Sequence, residues 1–420
     1  MNTSKFQDML TKWLMPIAEK IEGQKHLQAI KDGMIQIVPI IIIGSFSILP
    51  LALLNMLPEG IFNEFIGNNI DILTYPDKFT NGLLSIYAAY FIAQSLGDNY
   101  ALKTRQIGIM SIVVHLILSG TLIEGGIGTE YLGAEGLFTA IISAIMSVEI
   151  ARFMLNKELV FKLPDSVPTM VGDSFISLSP LIINVIIATI VVSLTLTFSG
   201  KVFPELVMAL LAPAITSMDT LPAVLIVIFL TQLLWFFGLH GPAITSAVWA
   251  PFAIQYAAKN MAVYAEGGQP THFFTFGLFY QILQVTGSGL TLGLVFMMMR
   301  SKAKNLSAIG KVAIVPSLFG INEPVIFGTP IILNPFMFIP FVFGPLVITV
   351  ITFLSMKYGL VGLPIADPPG FLLPGMSAFL LTMDWKAFVL VFVNLAIMTL
   401  IYYPFFKAME ADELRKEISL

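Results

Sequence analysis

The chain has 420 residues, 56% of them hydrophobic and 11% charged, with a formal net charge of −4, whereas an ordinary soluble domain is roughly a quarter charged. The charges crowd toward the two termini, so lipid must solvate most of the middle, and a soluble globular protein is excluded. With no cysteine, the chain has no disulfide, thiolate nucleophile, Cys-ligated metal site or phosphocysteine of its own. The mild acidity, without an internal basic block, gives no reason to expect nucleic acid. The first 31 residues hold five lysines and break their apolar run at Pro16 and Gly23, unlike a signal peptide, so the N-terminus is expected to be retained. Within it Phe6, Met9, Leu10, Trp13, Leu14 and Ile17 recur at helical spacing between lysines, which predicts an amphipathic helix on the membrane surface.

Charge-free stretches run over 33–58, 79–97, 174–200, 221–258, 267–299, 324–356 and 387–406, and about 20 apolar residues span a bilayer as helix. Lys and Arg in short loops favour the cytoplasm. Lys5 to Lys31, then Lys103 and Arg105, then Arg152, Lys157 and Lys162 mark the inner side, while 58–78 and 124–133 read as outer loops. Five crossings follow, at 33–57, 79–97, 106–123, 136–154 and 175–199. Residues 202–218, interrupted by Pro204 and Pro213, read as a surface helix or a short crossing. The span 220–258 is too long for one helix and predicts a helix followed by a re-entrant segment. Crossings at 272–299, 335–356 and 387–406 complete the series, with the Pro- and Gly-rich piece from Gly359 to Gly375 not a full crossing.

The expected fold class is therefore an all-α polytopic membrane protein of about ten transmembrane helices, with re-entrant hairpins and amphipathic interfacial helices. No internal repeat is evident. The expected divisions are a cytoplasmic N-terminus (1–32), a transmembrane scaffold and dimerisation half (33–200), a sugar-binding transport half (201–406) and a cytoplasmic tail (407–420). Irregular backbone at membrane depth survives only where protein buries it or a wet cavity lines it. The breaks at Gly238–Pro242, Pro316–Pro335 and Pro364–Pro374 therefore point at a pathway.

Glu323 stands at such a break, in Gly320-Ile321-Asn322-Glu323-Pro324. Proline after it removes a backbone donor and steers Glu323 away from helix, so two half-helices are expected to meet there. An intramembrane carboxylate is costly without water, a partner or a ligand. The functional reading is an acceptor for a polar solute; the bland one is a helix cap in a loop. His240, flanked by Gly238 and Gly241, can exchange a proton near neutral pH, or it is an ordinary core histidine. His115 and His26 keep the ordinary reading. Asn322, Gln232, Gln281, Gln284 and Asn334 offer planar polar groups for sugar hydroxyls, and Trp235 or Trp249 an aromatic face, although intramembrane amides also join helices. No metal-ligand spacing, P-loop or dinucleotide fingerprint appears, so neither metal nor cofactor is expected.

Four stretches carry a resemblance: IEGQKHLQAIKDG at 21–33, KLPDSVP at 162–168, GLHGP at 238–242, and NEPVIFG at 322–328 continuing to Leu333-Asn334-Pro335. In this order they resemble enzyme IIC, the sugar-translocating subunit of the bacterial phosphotransferase system, in its lactose, cellobiose and diacetylchitobiose branch. The resemblance implies a homodimeric inner-membrane permease with both termini cytoplasmic, whose C-terminal half carries a sugar between re-entrant hairpins. It implies that Glu323 and His240 lie beside the hydroxyl that is phosphorylated, and that one of them acts as base. Since the chain lacks cysteine, it further implies a separate phosphorylated IIB protein, served by IIA upstream, and a stand-alone IIC. One departure stands out: disaccharide-transporting members carry a tryptophan and threonines where Ile365, Ala366 and Asp367 precede Pro368-Pro369. That implies an altered ring contact, unless Asp367 simply faces solvent. The rival readings are a proton-coupled secondary transporter using Glu323 and His240, and a sugar sensor that binds without translocating.

Overall fold

A computed structural model describes residues 20, 23–56, 58, 60–102, 106–123, 126–161, 169–328, 331–370 and 372–419. The surface helix expected around Phe6–Ile17 and the Lys162–Pro168 motif lie outside them. The chain divides into two compact units, Glu22–Thr216 with Ala250–Ala258, and Ser217–Trp249 with Lys259–Leu420.

The first unit is a bundle of continuous helices: Lys25–Met56, Leu84–Asn99, Ile107–Ser119, Leu137–Asn156, Thr169–Ser199 and Phe203–Met218. Without a hydrophobic drive between helices in lipid, close packing relies on small residues. Gly33 illustrates this, since a Cβ there would sit 2.5 Å from Ile92. Ala88, Ala89 and Ala93 on one helix, and Ala140, Ser143, Ala144 and Ser147 on another, are fully buried. Inside this core His115 contacts the hydroxyls of Ser85 at 2.7 Å, Ser119 at 3.3 Å and Ser143 at 3.5 Å. His26 meets the Glu149 carboxylate at 2.9 Å, and the Tyr100 hydroxyl donates to the same carboxylate at 2.6 Å. Both histidines therefore have structural partners. The stretches expected as outer loops carry regular structure: helices Ile61–Asn68 and Ile70–Phe79 lie over 58–78, and a hairpin pairs Gly126–Gly128 with Thr121–Ile123, the end of the crossing expected at 106–123.

The second unit is built differently. Leu221–Phe236 and Gly241–Ala265 are both helices, so a second full helix stands where a re-entrant segment was expected. Gly238 in the left-handed region (φ 82) turns the chain, and Pro242, inside the first turn, restarts it where a missing N–H costs nothing. The crossing expected over 272–299 is broken: a short turn Phe276–Leu278, a π-helical turn Phe279–Leu283, an irregular loop, then a helix Leu292–Met299. The break follows from four left-handed residues, Thr286, Gly287, Gly289 and Leu290, in a segment with neither charge nor proline to announce it. Lys304–Leu318 and Glu323–Gly328 form the two half-helices expected around Glu323, and no helix occupies Gly359–Gly375 among its described residues. Pro335–Lys357 is continuous, and Trp385–Ser419 runs on through the expected tail. Among the described residues five helices are long and apolar enough to cross a membrane, with a sixth if a bent pair counts as one span. The remaining apolar length is in shorter or broken pieces and in the unbroken but less apolar helix Gly241–Ala265.

Candidate substrate site

Glu323 opens the short helix Glu323–Gly328, and the residue before it holds the tip in place. The Asn322 side-chain amide nitrogen donates to Ser288 O at 2.5 Å and to Thr291 Oγ1 at 3.2 Å, while the Asn322 backbone carbonyl accepts from the backbone N–H groups of Val325 and Ile326 at 2.9 Å. Asn322 thereby clamps the tip to the irregular loop of residues 284–291. Gly287 (φ 91) is required there: a Cβ would lie 2.3 Å from Asn322 Cγ. Glu323 itself is half-buried, and its Oε2 is buried without a hydrogen-bond donor.

One turn beyond Glu323, the Phe327 ring lies 6.0 Å from Trp235, and Trp235 lies 4.5 Å from the His240 ring. The Leu333 N–H donates to Phe236 O at 2.9 Å, and Ile332 stands 3.5 Å from the Cβ position of Gly238. The Glu323 tip and the His240 turn are thus joined by ring, hydrogen-bond and side-chain contacts, which periodicity alone could not reveal. His240 caps the Gly241–Ala265 helix: its Nδ1 accepts the Ala243 N–H at 3.1 Å. In a neutral ring this leaves the hydrogen on Nε2, so the exposed edge of the imidazole donates.

Two further predicted residues meet here. Gln232 Nε2 donates to Gln284 Oε1 at 2.9 Å, with both side chains buried. Gln232 Oε1, Gln284 Nε2 and Trp235 Nε1 remain without hydrogen-bond partners. Asn334 has a different environment: its Oδ1 caps the Pro335–Lys357 helix through Phe336 N–H at 2.9 Å, and its Nδ2 lies 3.5 Å from Met409 Sδ. Trp249 is fully buried, its Nε1 donates to Thr245 Oγ1 at 3.3 Å, and its ring packs 4.3 Å from Phe279, a core position. Gln281 donates to Pro368 O at 3.2 Å. Asp367 is only 4% exposed, so the solvent-facing alternative does not hold; its Oδ1 lies 2.1 Å from where a Cβ on Gly277 would stand. The 284–291 loop is the element that reasoning from sequence missed. Its one local signal is the Thr286-Gly287-Ser288-Gly289 run.

Residues 31–345 match the family described as "Phosphotransferase system, EIIC". The chain belongs to that family. The permease is 32% identical to the PTS system cellobiose-specific EIIC component of Geobacillus stearothermophilus, over 98% of this chain and 96% of the relative. It is 31% identical to a lactose-specific EIICB component of Staphylococcus haemolyticus, over 96% of this chain and 70% of that longer protein. Among solved structures it resembles the transporter ChbC, the IIC component from the N,N'-diacetylchitobiose-specific phosphotransferase system, with a TM-score of 0.90 and 31% identity, covering 97% and 99% of the two chains. It is an integral membrane sugar permease that works with IIB and IIA components, as the sequence motifs implied.

Proposed function

We propose that the permease moves a β-linked oligosaccharide or other β-glycoside inward and presents one of its hydroxyls to a phosphocysteine on IIB, with Glu323 as the base. The buried, unpartnered Glu323 Oε2, on the short helix whose Phe327 ring meets the Trp235–His240 pair, carries this reading, since a carboxylate in an apolar protein is retained for a ligand or a proton. The sugar hydroxyl attacks phosphorus, the S–P bond breaks, the thiolate leaves with the bonding electrons, and the hydroxyl proton passes to Glu323. His240 Nε2–H donates toward the reacting oxygens, and the Trp235 indole face covers the C–H side of the ring. Phosphoryl transfer asks mainly for positioning and charge stabilisation, which matches so small a set of groups. The product gains about two negative charges and cannot re-enter an apolar path, so uptake is irreversible.

The phosphocysteine lies outside these 420 residues, because none of them is cysteine. The wider arrangement we assign is a homodimer in the bacterial inner membrane with about ten crossings, counting the broken segments, and with both termini cytoplasmic. Residues 33–200 serve as the scaffold and dimer contact, and 201–406 as the transport half. Proteoliposomes containing the permease test the proposal. Labelled cellobiose should accumulate as sugar phosphate only when phosphorylated IIB is supplied. Accumulation of unmodified sugar driven by a pH gradient would establish the rival transporter.

A further inference from the structure

The loop that clamps Asn322 holds a residue for which the phosphoryl-transfer scheme has no use. Thr286 sits in the left-handed region at φ 66, which a β-branched residue normally avoids. It is 1% exposed, and its Oγ1 has no hydrogen-bond partner. Two residues earlier, Gln284 is 4% exposed with Nε2 unmet, and the fully buried Gln232 to which it is bonded leaves Oε1 unmet. Backbone strain and orphaned buried polar atoms are both costly, and folded proteins keep them where function requires them. Here both occur within one turn, on a loop held by Asn322, the residue preceding Glu323.

We propose that Gln232, Gln284 and Thr286 form a hydroxyl-reading subsite for two adjacent free hydroxyls of an unmodified hexose ring, which makes the permease prefer unmodified glycosides to N-acetylated ones. The inference rests on the sugar-permease reading of the same site and adds the substrate class. The bond between the two amides holds one remaining donor, Gln284 Nε2, and one remaining acceptor, Gln232 Oε1, on neighbouring groups. A vicinal diol answers both, because each hydroxyl gives one hydrogen and accepts others. The Thr286 hydroxyl, able to give or accept, closes the set. An acetamido group also offers an N–H and a C=O, but it would force a carbonyl and a methyl in beside side chains that are 0–4% exposed, where a hydroxyl needs the least room. Because Asn322 fixes the loop to the tip, the subsite sets the ring's position relative to Glu323.

Equilibrium binding to the purified full-length permease tests this, with cellobiose and N,N'-diacetylchitobiose as probes and thermal melting to verify that each variant is folded. Wild-type protein should bind cellobiose about tenfold or more tighter than diacetylchitobiose. Gln284→Met should weaken cellobiose binding about tenfold, and Thr286→Gly about three- to tenfold although it relieves strain, while Thr286→Ser should stay within about twofold. Diacetylchitobiose binding as tightly as cellobiose to the wild type, a comparison that needs no variant, overturns the proposal. So does unchanged cellobiose affinity in folded Gln284→Met or Thr286→Gly. A Glu323→Gln arm keeps the two levels apart. Loss of phosphorylation there with no effect at Gln284 and Thr286 removes the subsite alone, whereas undiminished phosphorylation removes the site on which it rests.

Discussion

Two histidines in apolar segments, one in each unit, show what separates a scaffold from a site. His115 is fully buried and surrounded by the hydroxyls of Ser85, Ser119 and Ser143. His240 is exposed, committed at Nδ1 to a backbone N–H, and packed at a tilt 4.5 Å from the Trp235 ring. The same contrast runs through their surroundings. The first unit joins continuous helices through small residues, and its unmet buried atoms, on Ser111, Thr139, Asn184 and Gln255, lie within those helices, whereas the second breaks its helices and gathers unmet atoms on Gln232, Trp235, Gln284, Thr286 and Glu323 at or near the breaks. A buried polar group that has its partners stabilises a fold; one that lacks them at a helix break, where the backbone leaves room, is a place for a ligand.

Substitutions sharpen this comparison, beginning with the largest effect. Glu323→Gln removes the base and should lower the phosphorylation rate about 10²- to 10⁴-fold in an assay with phosphorylated IIB and labelled sugar, with weaker sugar binding as well. A rate near wild type would break the distinction between the two units. His240→Ala should lower turnover about 10²-fold with a smaller effect on binding, because a donor to the developing charge is lost. It also removes a helix cap, at a cost of about 1 kcal/mol. His240→Asn keeps a cap, and should therefore melt near the wild type while remaining slow.

Gly287→Ala forces a side chain into Asn322 from a left-handed backbone. It should destabilise the permease by about 1–3 kcal/mol, read by thermal melting, and should reduce phosphorylation by displacing the Glu323 tip. His115→Leu should give the smallest functional change. It takes the imidazole from three serine hydroxyls, of which Ser85 and Ser143 keep backbone acceptors, and should cost about 1–3 kcal/mol of stability, with phosphorylation per folded protein unaltered. A specific loss of turnover in His115→Leu would show that the two histidines are not so different.

Much of this was legible in the residues themselves. Glu323 and His240 could be singled out because each lies in a break marked by proline or glycine within charge-free sequence, and such punctuation is local. The Gln232 and Gln284 amides could be nominated but not paired, since they lie 52 positions apart. Asn334 and Trp249 were equally plausible sugar contacts, yet one caps a helix and the other fills a core. The loop through Thr286 was read as continuous helix because nothing in its composition opposes one strongly; Asn322, 34 positions away, anchors it through Ser288 O.

Sequence alone thus determined the solvent of this protein, its helical class, its family and the places where helices must break, because transfer of apolar side chains into lipid and the missing N–H of proline act locally. Tertiary structure decided which polar atoms find partners and which are left for a ligand. Hydrogen bonds that close between distant segments have no counterpart in the order of residues along the chain.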